Sequence, residues 1–187
     1  MDDFAHLSVL LSIVLGLGIT NLLMGLARTV HRRDRVKVYW PAVIWALTLL
    51  LIHIQTWWTM FGLRGIDDWN FFKFFLTLQQ PIFLFFLSVL VFPEFERTDD
   101  FDMRANFFAH ARWFFMIFGA LLINSVARTY AVAGHVQSAT DLIFHAFFLA
   151  GAAAGAILKN EKFHQALAPT VALALVAYIA LLSLQLS

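Results

Sequence analysis

Within the apolar stretches of this 187-residue sequence, the side chains able to bind or move a charge are few, and most fall toward one end of their stretch. His53 and Gln55 are one group, Lys73, Gln79 and Gln80 a second, Asn124 and Arg128 a third, and Asp141 and His145 a fourth, with His6 near the start. Asp141 and His145 are four apart and so share a helical face. A carboxylate one turn from an imidazole can accept a proton or hold the ring toward a ligand. The plainer alternative makes Asp141 part of a capping box, Ser138-Ala139-Thr140-Asp141, and leaves His145 bonded to a neighbouring helix.

His53 precedes Trp57-Trp58 and lies at a depth similar to that of His145. Two imidazoles from separate helices suit the iron of a b-type haem, which makes a membrane redox protein one alternative. More simply, His53 hydrogen-bonds one helix to the next. Gln79-Gln80-Pro81 falls at the middle of its stretch. Proline has no amide hydrogen, so the carbonyl of Thr77 loses its usual partner and a kink is expected there. The freed carbonyl and two side-chain amides predict either a mid-bilayer binding or gating point, or a fixed kink with both Gln bonded between helices.

Positioning these groups requires membrane-spanning helices. The chain is 61% hydrophobic and 13% charged, with 21 Phe and no Cys, whereas a soluble domain carries roughly a quarter charged residues. That excludes a soluble globule, a disordered chain, a disulfide scaffold and a thiolate metal site. A net charge of +1 supplies no general attraction for nucleic acid. Six stretches are long enough to cross the ~30 Å hydrocarbon core as helices: Ala5–Ala27, Trp40–Gly62, Phe71–Phe92, Phe108–Tyr130, Ala139–Leu158 and Ala166–Leu186. They lack the alternation of barrel strands, so the expected fold is an all-α transmembrane bundle, a single domain over residues 1–187. Pro41 suits a helical first turn, and Pro93 follows the third stretch. The acidic run Asp99, Asp100 and Asp102 suits the start of one long fourth helix reaching Tyr130, although residues 99–107, with Phe101, Phe107 and Phe108, can also lie in the interface as a separate segment.

Charge sets the orientation. Arg28, Arg32, Arg33, Arg35 and Lys37 follow the first stretch, Arg97, Arg104 and Arg112 border the fourth, and Lys159 and Lys162 follow the fifth. Only Arg64, Lys73 and Arg128 remain for the opposite side, so the positive-inside rule predicts both termini on the non-cytoplasmic face. The acidic Asp2-Asp3 opening agrees, and it differs from a cleaved signal peptide, which opens with Lys or Arg. The Arg32, Arg33, Arg35 and Lys37 loop is also a candidate for anionic lipid headgroups. Small-residue faces at Ser12 and Gly16, and at Gly151 and Gly155, predict close helix packing, within the chain or between subunits. The Phe doublets face lipid or pack helices.

There is no phosphate-binding Gly-rich loop, Gly-x-Ser-x-Gly, His-Glu-x-x-His or Thr-Val-Gly-Tyr-Gly, so no ATP motor, hydrolase or potassium filter is indicated. The expected function is therefore permeation of an ion, proton or small solute, as a channel or proton-linked transporter in a bacterial inner membrane. The lining candidates are His53, Gln55, Gln79, Gln80, Asn124, Asp141 and His145, with no metal or other cofactor required. Few charges leave little room for a wide pore in one subunit, so a homo-oligomer with the path on its symmetry axis is expected. Besides haem at His53 and His145, the remaining alternative is a non-catalytic accessory or scaffold subunit.

Overall fold

The computed structural model describes residues 3–66, 68–92 and 100–185, with side chains from Leu7 to Leu181. Asp2, Pro93, Arg97, Asp99 and Leu186, and the side chain of His6, lie outside the described residues. Six helices are long and apolar enough to cross a membrane: α1 Asp3–His31, α2 Trp40–Thr59, α3 Phe71–Val91, α4 Met103–Ala133, α5 Ala139–Ile157 and α6 Glu161–Gln185. The protein is an all-α, polytopic membrane protein. A 3-10 turn, Met60–Gly65, prolongs α2.

Local chemistry explains where the helices begin and end. Pro41 sits in the first turn of α2, where its missing N–H leaves no bond unmade. The Asn70 side chain accepts from the Lys73 amide to start α3, and Asp102 accepts from Ala105 to start α4. Ser138 and Asp141 form the expected capping box of α5. Gly134 ends α4 at φ 73°, a left-handed conformation that favours glycine.

Several helices overrun the apolar stretches. α1 continues past Ala27 to His31, and α6 begins at Glu161 rather than Ala166. α4 has 31 residues and so rises about 46 Å, well beyond a ~30 Å hydrocarbon core. Hydropathy marks what lipid tolerates, whereas a helix continues into the headgroups as long as its end is capped. The fourth helix is uninterrupted, as one of the two expectations held, but it starts at Met103. Residues 101–102 instead form a short strand, β2, pairing in parallel with β1, Val36–Lys37. Phe107 and Phe108 therefore belong to α4 and not to a separate interfacial segment.

The packing closes a ring. α2 packs on α3, α3 on α4, α4 on α5, α5 on α6, and α6 returns to α2; α1 lies outside, against α2 and α3. α1 is seated by the buried Leu7, Leu11, Leu15 and Leu22. Asn21 adds a polar tie, its Nδ2 donating to the Phe92 carbonyl at 3.2 Å. α3 passes through Pro81 without a break in the helix.

One end of the bundle gathers the basic connections. The β1–β2 pair joins the α1–α2 connection to the start of α4, and Lys37 lies 3.8 Å from Asp102. Arg104 forks onto Glu161 at 3.0 and 2.8 Å, tying the start of α4 to that of α6. Tyr39 is buried beside Phe107 and Phe108, and that burial, with the charge of Glu161, pushes its phenol above the usual value against the opposing pull of Arg104. Inside this end Trp45 of α2 meets Phe114, Phe115 and Phe118 of α4 edge-on, at centroid separations of 5.1, 5.5 and 5.6 Å. His164 of α6 is fully buried among Phe107, Phe108 and Phe115. Lipid is as apolar as these rings, so their close packing, rather than escape from water, holds the ring shut here.

Candidate functional site

Above the Trp45 cluster the ring encloses a cavity of about 280 Å³. All five ring helices contribute to its wall. α2 gives Thr48, Gln55, Thr56 and Thr59, and α3 gives Gln80. α4 gives Phe118, Leu122, Ser125, Arg128 and Thr129; α5 gives Asp141, His145 and Phe148; α6 gives Val171, Leu175 and Tyr178. Gln137, in the α4–α5 connection, completes it. From Phe118 to Thr129 the lining runs about 16 Å along α4 at ~1.5 Å per residue, roughly half the membrane. The wall is apolar toward the aromatic floor and polar toward the α4–α5 connection, at the end opposite the basic loops.

The polar groups are only partly satisfied. Asp141 is occupied on both oxygens: Oδ1 accepts from the Tyr178 hydroxyl at 2.9 Å, and Oδ2 from the Ser138 hydroxyl at 2.7 Å and the Ser138 amide at 3.3 Å. It therefore caps α5, ties α5 to α6 and lines the cavity at once. His145 bonds through Nδ1 to the Asp141 carbonyl at 2.8 Å, not to the carboxylate. A carbonyl only accepts, so Nδ1 donates, and in the neutral ring Nε2, 3.4 Å from the Ser125 hydroxyl, is the acceptor. Gln80 is buried, and among the described residues its Oε1 has no hydrogen-bond partner; neither has Oε1 of Gln137, whose Nε2 donates to Thr129 at 3.1 Å. Arg128 makes no hydrogen bond or ion pair among the described residues.

Of the seven lining candidates, the cavity brings together Gln55, Gln80, Asp141 and His145. The other three lie elsewhere. Gln79 is half-buried and outside the wall. Asn124 donates through Nδ2 to the Leu76 carbonyl of α3 at 3.0 Å, joining α4 to α3. His53 is fully buried on the outer side of the ring, with Nδ1 2.7 Å from the Leu49 carbonyl and Nε2 against Gly18 of α1. A bis-histidine haem needs two imidazole lone pairs facing one space. Here one faces α1 and the other the cavity, so these residues do not fit the group.

No family model, curated protein or solved structure matches the chain.

The packing candidates divide likewise. Gly155 admits the Phe115 ring of α4, and Gly151 lies against Leu167 of α6, so that small-residue face serves the chain's own packing. Ser12 and Gly16 are exposed, and open space surrounds Gly16. Arg33 and Lys37 are exposed in the basic loop, while Arg32 and Arg35 use their carbonyls to accept from Val36 and Phe101. The Phe doublets split: Phe114, Phe115 and Phe148 are buried, whereas Phe71, Phe72 and Phe147 are exposed. Sequence reasoning left out Arg128, Gln137 and Tyr178 as lining residues. A signal was present for the first, because Ser125, Arg128 and Thr129 follow the three- and four-residue spacing of one helical face.

Proposed function

We propose that this membrane protein is a carrier for a small solute, binding it within the five-helix ring and coupling its passage to protons. The observation that supports this reading is a cavity walled by every ring helix, mostly apolar but carrying Gln55, Arg128, Asp141 and His145, with Phe118 of the Trp45 cluster at one end. A channel needs a continuous path, whereas a cavity with a floor needs the helices to rearrange before the solute can leave, as in alternating access. A homo-oligomer axis is not required to provide space, since the ring holds it within one chain. If copies do associate, the exposed Ser12 and Gly16 face of α1 is where they would meet closely. His145, with an acceptor nitrogen toward the cavity, is the proton-coupling residue in this reading. The excess of Arg and Lys at the stopped end supports a cytoplasmic floor and a cavity open to the outside, in a bacterial inner membrane.

The test is uptake by the purified protein in liposomes, over a panel of monovalent ions, sugars, amino acids and short carboxylates, with and without a pH gradient. We expect flux of at least one solute above empty vesicles, accelerated by an acidic exterior. His145→Gln should retain binding and lose the acceleration. No flux across the whole panel would remove the carrier reading and favour an accessory or scaffold role.

A further inference from the structure

We infer that the cavity takes a small organic carboxylate bearing a hydroxyl or ammonium group, its oxyanion held by Arg128. This rests on the solute-binding reading above and specifies the ligand's chemistry. Arg128 enters the cavity wall from the last two turns of α4, and a charge drawn into a protein wall ordinarily finds a counter-charge. Arg128 has none among the described residues. The carboxylate of Asp141 lines the same cavity but forms no ion pair with it, and its oxygens are taken by Tyr178 and Ser138. A guanidinium left without a partner in a cavity wall is a fork of donors shaped for two oxygens on one carbon.

The remaining groups narrow the choice. His145 lines the same space, and Nε2 of its neutral ring is an acceptor, which suits a donor on the solute. Phe118, Leu122 and Leu175 offer an apolar wall for a short carbon body. A volume of about 280 Å³ is just under the ~300–1,000 Å³ range of ordinary small-molecule sites, which suits a metabolite rather than a lipid. Oxyanion recognition by arginine can also serve a phospholipid phosphate, so the test separates the two.

The full-length protein, in detergent and in nanodiscs of phosphatidylcholine with or without phosphatidylglycerol, is titrated with lactate and alanine. Lactamide and alaninamide, which lack the carboxylate, serve as matched controls, and binding is read by tryptophan fluorescence and thermal shift. We expect saturable binding of at least one acid and at least tenfold weaker binding of its amide. Arg128→Gln should lose that preference, while Arg128→Lys keeps part of it. Without ligand, Arg128→Gln should be at least as heat-stable as the parent, because an unpaired charge has been removed. Equal binding of acid and amide overturns the inference. So does an Arg128-dependent gain in stability from phosphatidylglycerol that neither acid competes away, which assigns the arginine to a lipid phosphate. Liposome flux of some other solute class, unchanged in Arg128→Gln, defeats the carboxylate and leaves the carrier standing. Acid-selective binding without any flux does the reverse.

Discussion

Gly18 and Gly16 are two residues apart on α1 and make opposite demands. A side chain at Gly18 would run into the His53 ring, which is fully buried and anchored by its Nδ1 bond to Leu49. The ring cannot swing clear without giving up that bond. Gly18→Ala should therefore destabilise the protein by about 1–3 kcal/mol, the range of overpacked cores. Gly16 has open space around it, so Gly16→Ala should be neutral or stabilising by up to about 1 kcal/mol through helix propensity. Thermal unfolding of the two variants in one detergent gives the comparison. Because His53 lies outside the cavity, Gly18→Ala should lower the melting temperature without altering solute selectivity. A selectivity change there would return His53 to the site.

At the level of elements, the start of α3 is held by charge as well as by its cap. Lys73 donates to Asp68 at 2.6 Å, and this bond holds the Asp68 carboxyl below the usual aspartate value. A carboxylate whose folded value is depressed stabilises at pH above its unfolded value, and that contribution is lost as pH falls through the folded one. Protection of the Phe71–Phe75 amides, measured against their intrinsic exchange rates, should then fall below about pH 4, and Asp68→Asn should remove that change in protection. At α5, Ser138→Ala removes a cap with a typical worth of ~1 kcal/mol and leaves Oδ2 of Asp141 with the backbone amide of residue 138 alone. Fraying is expected over Ala139–Ile143, read by the same exchange measurement. The capping box of α5, like the six spans, was legible in the sequence, because lipid demands apolar helices and their ends demand polar partners; the Asn70 cap of α3 was not read there. Helical spacing carried more than residue type did. His53 and Gln55 are two apart, so their directions differ by about 200° around the axis, and one faces α1 while the other faces the cavity. Asp141 and His145, four apart, reach the same space. What the sequence withheld was the neighbour on each face, because lipid and another helix both accept Leu and Phe. The ring, the placement of α1 outside it and the β1–β2 pair all depend on that.

At the scale of the whole molecule, the sides of the membrane decide what the cavity is for. The basic connections gather at the aromatic floor, where the β1–β2 pair and the Arg104–Glu161 fork hold them together. At the other end Lys73 is neutralised by Asp68 and Arg128 is drawn into the cavity wall, which leaves Arg64 as the exposed cation of the three. Translocation penalises Arg and Lys, so the floor should face the cytoplasm. The chain has no Cys, so single cysteines report sidedness without background. Arg33→Cys marks the basic loop, and Val136→Cys marks the α4–α5 connection next to the cavity-lining Gln137, where Val136 is 58% exposed. A membrane-impermeant maleimide applied to intact cells should label Val136→Cys, and should reach Arg33→Cys only after permeabilisation. Under that outcome the proposed carrier would collect its solute from outside, with His145 placed to take up the coupled proton from the same side, the arrangement for uptake. The opposite labelling would turn the same cavity toward the cytoplasm, and its floor would then close the route outward.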